Sequence, residues 1–195
     1  KAFFEKRGLG GKTLAVYTGA HGDANGLDQL LEAADRLRNR PDIAIVLLGE
    51  GKMKETLKQQ AAAKGLTNFH LIDPVPKTQL PGILAACHIG LMILKQIKRP
   101  RWVTPNKIFD YMFTGIPSIV NFAGTTADMV MADGAGYASK PGDAADLAAK
   151  IVEWTDHVER RVAIGSKARD MALQKYDRKM IAKRMAELFE EAARQ

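Results

Sequence analysis

Lys107 and Asp110 stand three residues apart in "VTPNKIFDYMFTGIPSIV", residues 103–120. Thr104 followed by Pro105 reads as a helix start, because the threonine hydroxyl can accept a first-turn N–H and proline has none to leave unsatisfied. A helix from Pro105 to Thr114 then carries a lysine in its first turn, where the positive end of the helix dipole disfavours a cation. A bound anion would reverse that sign. Helix-start amides, Lys107 and the upstream Arg99 and Arg101 together compose a site for phosphate or diphosphate. Asp110, about one turn further along the same face, can accept hydrogen bonds from a ribose diol. Phosphate and ribose one helical turn apart is the layout of a nucleotide. The same spacing admits a structural reading, in which Lys107 extends to water and pairs with Asp110 at i, i+3.

Other chemistries are not supported. His21, His70, His88 and His157 lack metal-ligand spacing, and no Ser, His and Asp set marks a hydrolase. "GKT" at residues 11–13 has Lys6 where a phosphate-binding loop needs its first glycine, and it precedes a strand instead of following one. No G-x-G-x-x-G follows the first strand. His70, His88 and Cys87 read as structural, whereas His21 lies in a glycine-rich loop. No metal or cofactor is expected.

These residues need a frame to hold them, and the 195-residue chain is long enough for one sizeable domain, residues 1–195. With 46% hydrophobic and 26% charged residues it has an ordinary globular composition. A single cysteine rules out an internal disulfide and fits a reducing compartment. No apolar run reaches the ~18 to 20 residues of a membrane span, and no signal-peptide pattern opens the chain. The net charge of +7 is uneven: Lys95, Lys98, Arg99, Arg101 and Lys107 have no acid among them, and residues 160–184 form a second basic region. Nucleic acid, an anionic membrane surface and a phosphorylated small molecule all suit such a balance. The basic loop has Trp102 but no interleaved aromatic residues for stacking on bases, so nucleic acid is not expected as a partner.

Short β-rich runs alternate with helical patterns. Strands are expected at Leu14 to Thr18, Ile43 to Leu48, Phe69 to Ile72, Ile89 to Leu94, Ser118 to Asn121 and Tyr137 to Ala138. Helices are expected near Leu27 to Arg38, Met53 to Lys64, Thr78 to Ala86, Pro105 to Thr114, Asp143 to Thr155 and Arg178 to Ala193. Continuous apolar runs such as "IAIVLLG" fit parallel strands covered on both faces. The alternation predicts an α/β fold: a Rossmann-like, doubly wound parallel sheet of about six strands with helices on both faces. With strand order 3-2-1-4-5-6, ligands bind between the loops after the first and fourth strands. Those loops are "GAHGDANG", residues 19–26, and "KQIKRPRWVTPNK", residues 95–107. The second is longer than a usual strand-to-helix connection of ~2 to 6 residues.

"YTGAHGDANGLDQLLEAADRL", "VLLGEGKMKETLKQQAAAKGLTNFHLIDPVPKTQLPGILAACHIGLMIL" and "TPNKIFDYMFTGIPSIV", in that order, resemble the nucleotide-sugar-binding C-terminal half of family-4 retaining glycosyltransferases of the GT-B fold. The likeness runs over nearly the whole chain from Thr13. The first loop is similar to that of bacterial transferases of lipopolysaccharide O-antigen and capsule assembly. The resemblance implies metal-independent transfer of a hexosyl or N-acetylhexosaminyl group from a nucleoside diphosphate sugar, with UDP the first choice, to a cell-surface polysaccharide or lipid-linked acceptor with retention of configuration. It implies that the acceptor lies on an N-terminal domain that does not precede Lys1 here, so that the chain alone is inactive.

By the same resemblance, Asp110 matches the acid that holds the ribose, and Thr104, Pro105, Asn106 and Lys107 match the loop that carries the diphosphate and part of the sugar. Gly19, His21, Gly22 and Asn25 belong to the first donor loop. Trp102 departs from the family's pattern, standing eight residues before Asp110 where many relatives have a glutamate. The first loop also lacks the family's usual Arg and Lys, which leaves neutralisation of the diphosphate to Lys107, Arg99 and Arg101. No general base is identified. A nucleotide-sugar epimerase half-domain and a non-catalytic nucleotide-binding module are the alternative readings. Residues 176–195 read as a terminal amphipathic helix packed on the domain. An exposed part of its apolar face would allow peripheral contact with the inner face of a bacterial membrane, and the protein is expected in the cytoplasm.

Overall fold

Ile43–Leu48 (β2) and Ile89–Met92 (β4) bury every residue, as strands covered on both faces must. In the computed structural model, which describes residues 1–95 and 104–194, they join Thr13–Thr18 (β1), Phe69–Ile72 (β3), Ser118–Val120 (β5) and Gly136–Ala138 (β6). The sheet has six strands in the order β3-β2-β1-β4-β5-β6, and each of its strand pairs is parallel. The helices are Ala2–Glu5 (α1), Asp28–Arg36 (α2), Lys54–Ala63 (α3), Leu80–Leu84 (α4), Lys107–Thr114 (α5), Thr125–Ala132 (α6), Ala144–Asp156 (α7), Val158–Lys175 (α8) and Arg178–Ala193 (α9).

Alternate residues of β1 feed two cores. Ala15 and Tyr17 face one in which Leu30 of α2, Leu57 of α3 and Trp154 of α7 are buried. Leu14 and Val16 face another with Leu84 of α4, Ile108 of α5, Val130 of α6 and Ala168 of α8. This period-two division is the doubly wound arrangement read from the sequence.

Several boundaries differ from those expected. β4 ends at Met92, not Leu94, and α5 begins at Lys107, not Pro105. Helices α6 and α8 carry no strong apolar stripe and are not evident in the periodicity. The buried face of α8 is Arg161, Gly165, Ala168 and Ala172. A Cβ added to Gly165 would lie 2.1 Å from the Gly115 carbonyl oxygen at the end of α5. Close backbone approach at Gly165 thus brings α8 onto α5, and the Phe109 ring of α5 meets Tyr176 at the end of α8 with centroids 5.0 Å apart. Helix α9 buries no residue at all, so it is not packed on the domain as expected. Its Met185, Leu188 and Phe189 are exposed.

Candidate functional site

At the point where strand order reverses, β1 and β4 pair over only two positions, Ala15 with Ile89 and Val16 with Gly90. Beyond them a side chain takes over the ladder. The Tyr111 hydroxyl accepts from the Thr18 N–H at 3.0 Å and donates to the Val16 carbonyl at 3.2 Å, with the ring fully buried. Gly90 makes room for it: a Cβ there would come within 2.4 Å of the ring. Tyr111 thereby fixes the first turns of α5 against the carboxyl end of β1. Tyr111→Phe should leave the Thr18 N–H unsatisfied and cost on the order of 1 kcal/mol in a denaturant melt.

Lys107, four residues earlier, reaches the same strand end. Its Nζ lies 3.5 Å from the centroid of the Tyr17 ring, a cation–π contact. Gly19, at φ +128°, permits the approach, since its Cβ would stand 3.3 Å from that Nζ. Burial pushes the lysine pKa down from 10.5 to about 7. Asp110 is exposed as a residue, yet desolvation of its carboxyl moves its pKa up, opposed by Lys77. No ion pair joins Lys107 to Asp110 among the described residues. The structural pairing allowed by their spacing is therefore not made: the lysine turns to β1 and the carboxyl stays available.

Tyr17, Gly19, Ala20, Asn25, Pro105 and Lys107 line one cavity of about 200 Å³ together with Met92, Ile93, Leu94 and Phe122. Two larger cavities, of about 620 and 630 Å³, lie at the amino end of β1 and along β3 and do not adjoin Lys107. Gly22 begins a 3-10 turn over Asp23–Asn25. The Asn25 Nδ2 is spent within the loop, donating to the Ala20 carbonyl at 2.7 Å. Thr104 and Asn106 are exposed, and Asn106, the residue before α5, makes no side-chain cap. The helix start is not a row of free amides either, because Ile108, Phe109 and Asp110 donate back to the carbonyls of Pro105 and Asn106. Any anion held here is therefore held more by Lys107 than by amides. Arg99 and Arg101, like Trp102, lie outside the described residues.

His21 is fully buried, and neither ring nitrogen has a partner. Its backbone is tied down on both sides, by its own N–H to Glu50 at 2.7 Å and by its carbonyl from Met53 at 2.9 Å. Burial, then Lys54, pushes its pKa below the ordinary 6.5, which favours the neutral ring. The structure thus brings Gly19, Asn25, Pro105 and Lys107 to one cavity and sets His21 beneath the loop. Tyr17, Gly90 and Tyr111 were missed by sequence reasoning. The available signal was a glycine inside an apolar strand run, which marks a close approach. No group of three His, Cys, Asp or Glu residues among the described residues could hold a metal ion.

A model of the family described as "Glycosyl transferases group 1" matches residues 1–171. The putative colanic acid biosynthesis glycosyl transferase WcaI of Escherichia coli (strain K12) is 28% identical over 109 residues, 56% of this chain and 26% of that protein. The structure of Anabaena Alr3699/HepE in complex with UDP superposes with a TM-score of 0.84 at 20% identity, over 97% of this chain and 52% of that one. The C-terminal domain of the group 1 protein LpcC from Francisella tularensis gives 0.73 at 20% identity, over 90% of this chain and 91% of that one. The chain thus spans about a quarter of WcaI and half of HepE.

Proposed function

Because the chain belongs to the glycosyl transferases group 1 family, we propose that it is the donor-binding half of a GT-B glycosyltransferase that takes a UDP-sugar. The observation that carries this reading is Lys107, held on the Tyr17 ring at the β1–β4 crevice one turn before a carboxylate, Asp110, that forms no ion pair among the described residues. HepE, a structural neighbour of the same fold, is described in complex with UDP and with UDP-glucose. Lys107, with Arg99 and Arg101, meets the diphosphate; Asp110 accepts from the ribose diol; Gly19 lets the phosphate approach the backbone.

In the reaction, the bond between the sugar's anomeric carbon and the diphosphate oxygen breaks as the acceptor's hydroxyl oxygen bonds that carbon, and the hydroxyl proton passes to the leaving diphosphate. The leaving diphosphate gains negative charge. An ammonium positioned before the reaction stabilises that charge without reorganisation, which is the kind of contact that lowers the barrier. The acceptor, bound by a second domain, is a polysaccharide or lipid-linked sugar, and configuration is retained. Among the described residues no helix is long and apolar enough to cross a membrane. The exposed apolar residues of α9, interleaved with Lys183 and Arg184, support peripheral contact with an anionic membrane at the cytoplasmic face.

A melt of the chain in a panel of nucleotides tests the reading. UDP at a hundred times its Kd is expected to add ~2.7 kcal/mol of stability. No stabilisation by any nucleoside diphosphate would overturn donor binding. Transfer of labelled sugar by the full-length enzyme, absent from this chain alone, then separates a transferase from an epimerase or a passive nucleotide-binding module.

A further inference from the structure

Beyond Met92 the fourth strand has no sheet partner, yet the Leu94 peptide is fully hydrogen-bonded. Its N–H donates to Asn121 Oδ1 at 3.2 Å, and its carbonyl accepts from Gln29 Nε2 at 3.4 Å. The ring closes where Asn121 Nδ2 donates to Gln29 Oε1 at 2.5 Å. Asn121 is fully buried and Gln29 is 9% exposed. Both amide orientations are fixed, since turning either would set like atoms against each other. The ring joins the first turn of α2, the end of β4 and the end of β5.

A second fastening lies beside it. The Lys95 N–H donates to the Ala24 carbonyl at 2.9 Å, tying the loop after β4 to the loop after β1. Gly26, at φ +56°, makes this approach possible, because a Cβ there would stand 3.0 Å from the Lys95 backbone and 2.7 Å from Gln29 Nε2. Leu94 itself lines the same cavity as Lys107, Gly19 and Ala20. Any shift of its peptide moves one wall of that cavity against the other.

We propose that Gln29 and Asn121 are positioning residues for the donor: through Leu94 they set the separation of the two loops that bound the crevice. This rests on the functional reading above. Two polar side chains from distant parts of the chain are buried here in place of an apolar pair that would pack as well, and they hold a peptide that strand pairing no longer reaches. Buried polar groups of this kind are costly unless every partner is present, so Leu94 and Lys95 are held in one place against residues 24–29.

Gln29→Leu, Asn121→Leu and the double variant of this chain test the proposal by amide hydrogen exchange and UDP calorimetry. Asn121→Leu is expected to accelerate exchange at Leu94, Lys95 and the 19–26 loop together, with β2 and α7 unchanged. UDP should bind at least tenfold more weakly in either single variant, and the double variant should be no worse than the worse single, because both break one ring. A folded Asn121→Leu protein with wild-type UDP affinity would overturn the proposal, as would faster exchange confined to Leu94. If the wild type does not bind UDP, the functional reading fails. The exchange pattern still decides whether the ring fastens the two loops.

Discussion

Replacing Lys107 with methionine is expected to weaken UDP binding about 10- to 100-fold at pH 7, the loss of a charge-assisted contact, while the empty domain becomes no less stable. The cause of the second effect is desolvation. In the unfolded chain this lysine keeps its proton up to its ordinary pKa of 10.5, but in the folded chain it releases it at about 7. Between those values the unfolded state binds more protons. Folding stability of the empty wild type should therefore rise with pH across that window, by up to ~1.4 kcal/mol per pH unit, and Lys107→Met should lack the slope.

Affinity runs the other way. Only the ammonium form meets a diphosphate, so Kd should rise by as much as ~10-fold per pH unit above about 7, until the lysine's pKa under the bound phosphates is reached. Calorimetry at pH 8 in two buffers of different ionisation enthalpy should find about one proton taken up per UDP by the wild type and none by the variant. His21, whose pKa burial holds below its ordinary value of 6.5, is retained in Lys107→Met, so the variant serves as its control. A Kd that stays flat from pH 7 to 9, without proton uptake, would reduce Lys107 to a packing contact of Tyr17.

Asp110→Asn is the second large effect, an expected loss of ~1.5 to 3 kcal/mol in UDP binding. A carboxylate can accept from both ribose hydroxyls, whereas an amide offers one acceptor and turns a donor toward the other. The empty protein should be unharmed. Asp110 has a raised pKa and no ion-pair partner among the described residues, so removing its charge relieves a small cost instead of breaking a contact. Comparison with 2′-deoxy-UDP sharpens the test: the wild type should prefer UDP, and the variant should lose most of that preference. Equal affinities for wild type and variant would remove Asp110 from the site.

The two side chains behave independently because they diverge in space. At i, i+3 on a helix they are neighbours by spacing, and an ion pair between them would have coupled every one of these effects. Lys107 instead lies along the Tyr17 ring, where Gly19 leaves room for it. An anion arriving at the crevice meets a lysine that pairs with no carboxylate among the described residues.

Much of this arrangement is determined by the sequence alone. Apolar runs alternating with helical patterns specify a parallel sheet covered on both faces, because a strand buried on both sides is built mostly of apolar residues. The Lys107–Asp110 spacing follows from helical rise, whereas the strand order that sets the carboxyl ends of β1 and β4 side by side is assumed at the sequence level and shown by the structure. Helix α8 escapes such reading, since its buried face is Arg161, Gly165, Ala168 and Ala172 and carries no large apolar side chain to mark a hydrophobic period. The sequence is equally silent on whether Lys107 turns to Asp110 or Tyr17, on the burial of His21, and on the ring that joins Gln29 to Asn121 across 92 residues. Only the tertiary structure decides these. Periodicity reports how one element divides between core and water, whereas the partner of a polar side chain depends on which other element lies within hydrogen-bonding reach, and that distance is set when the layers pack.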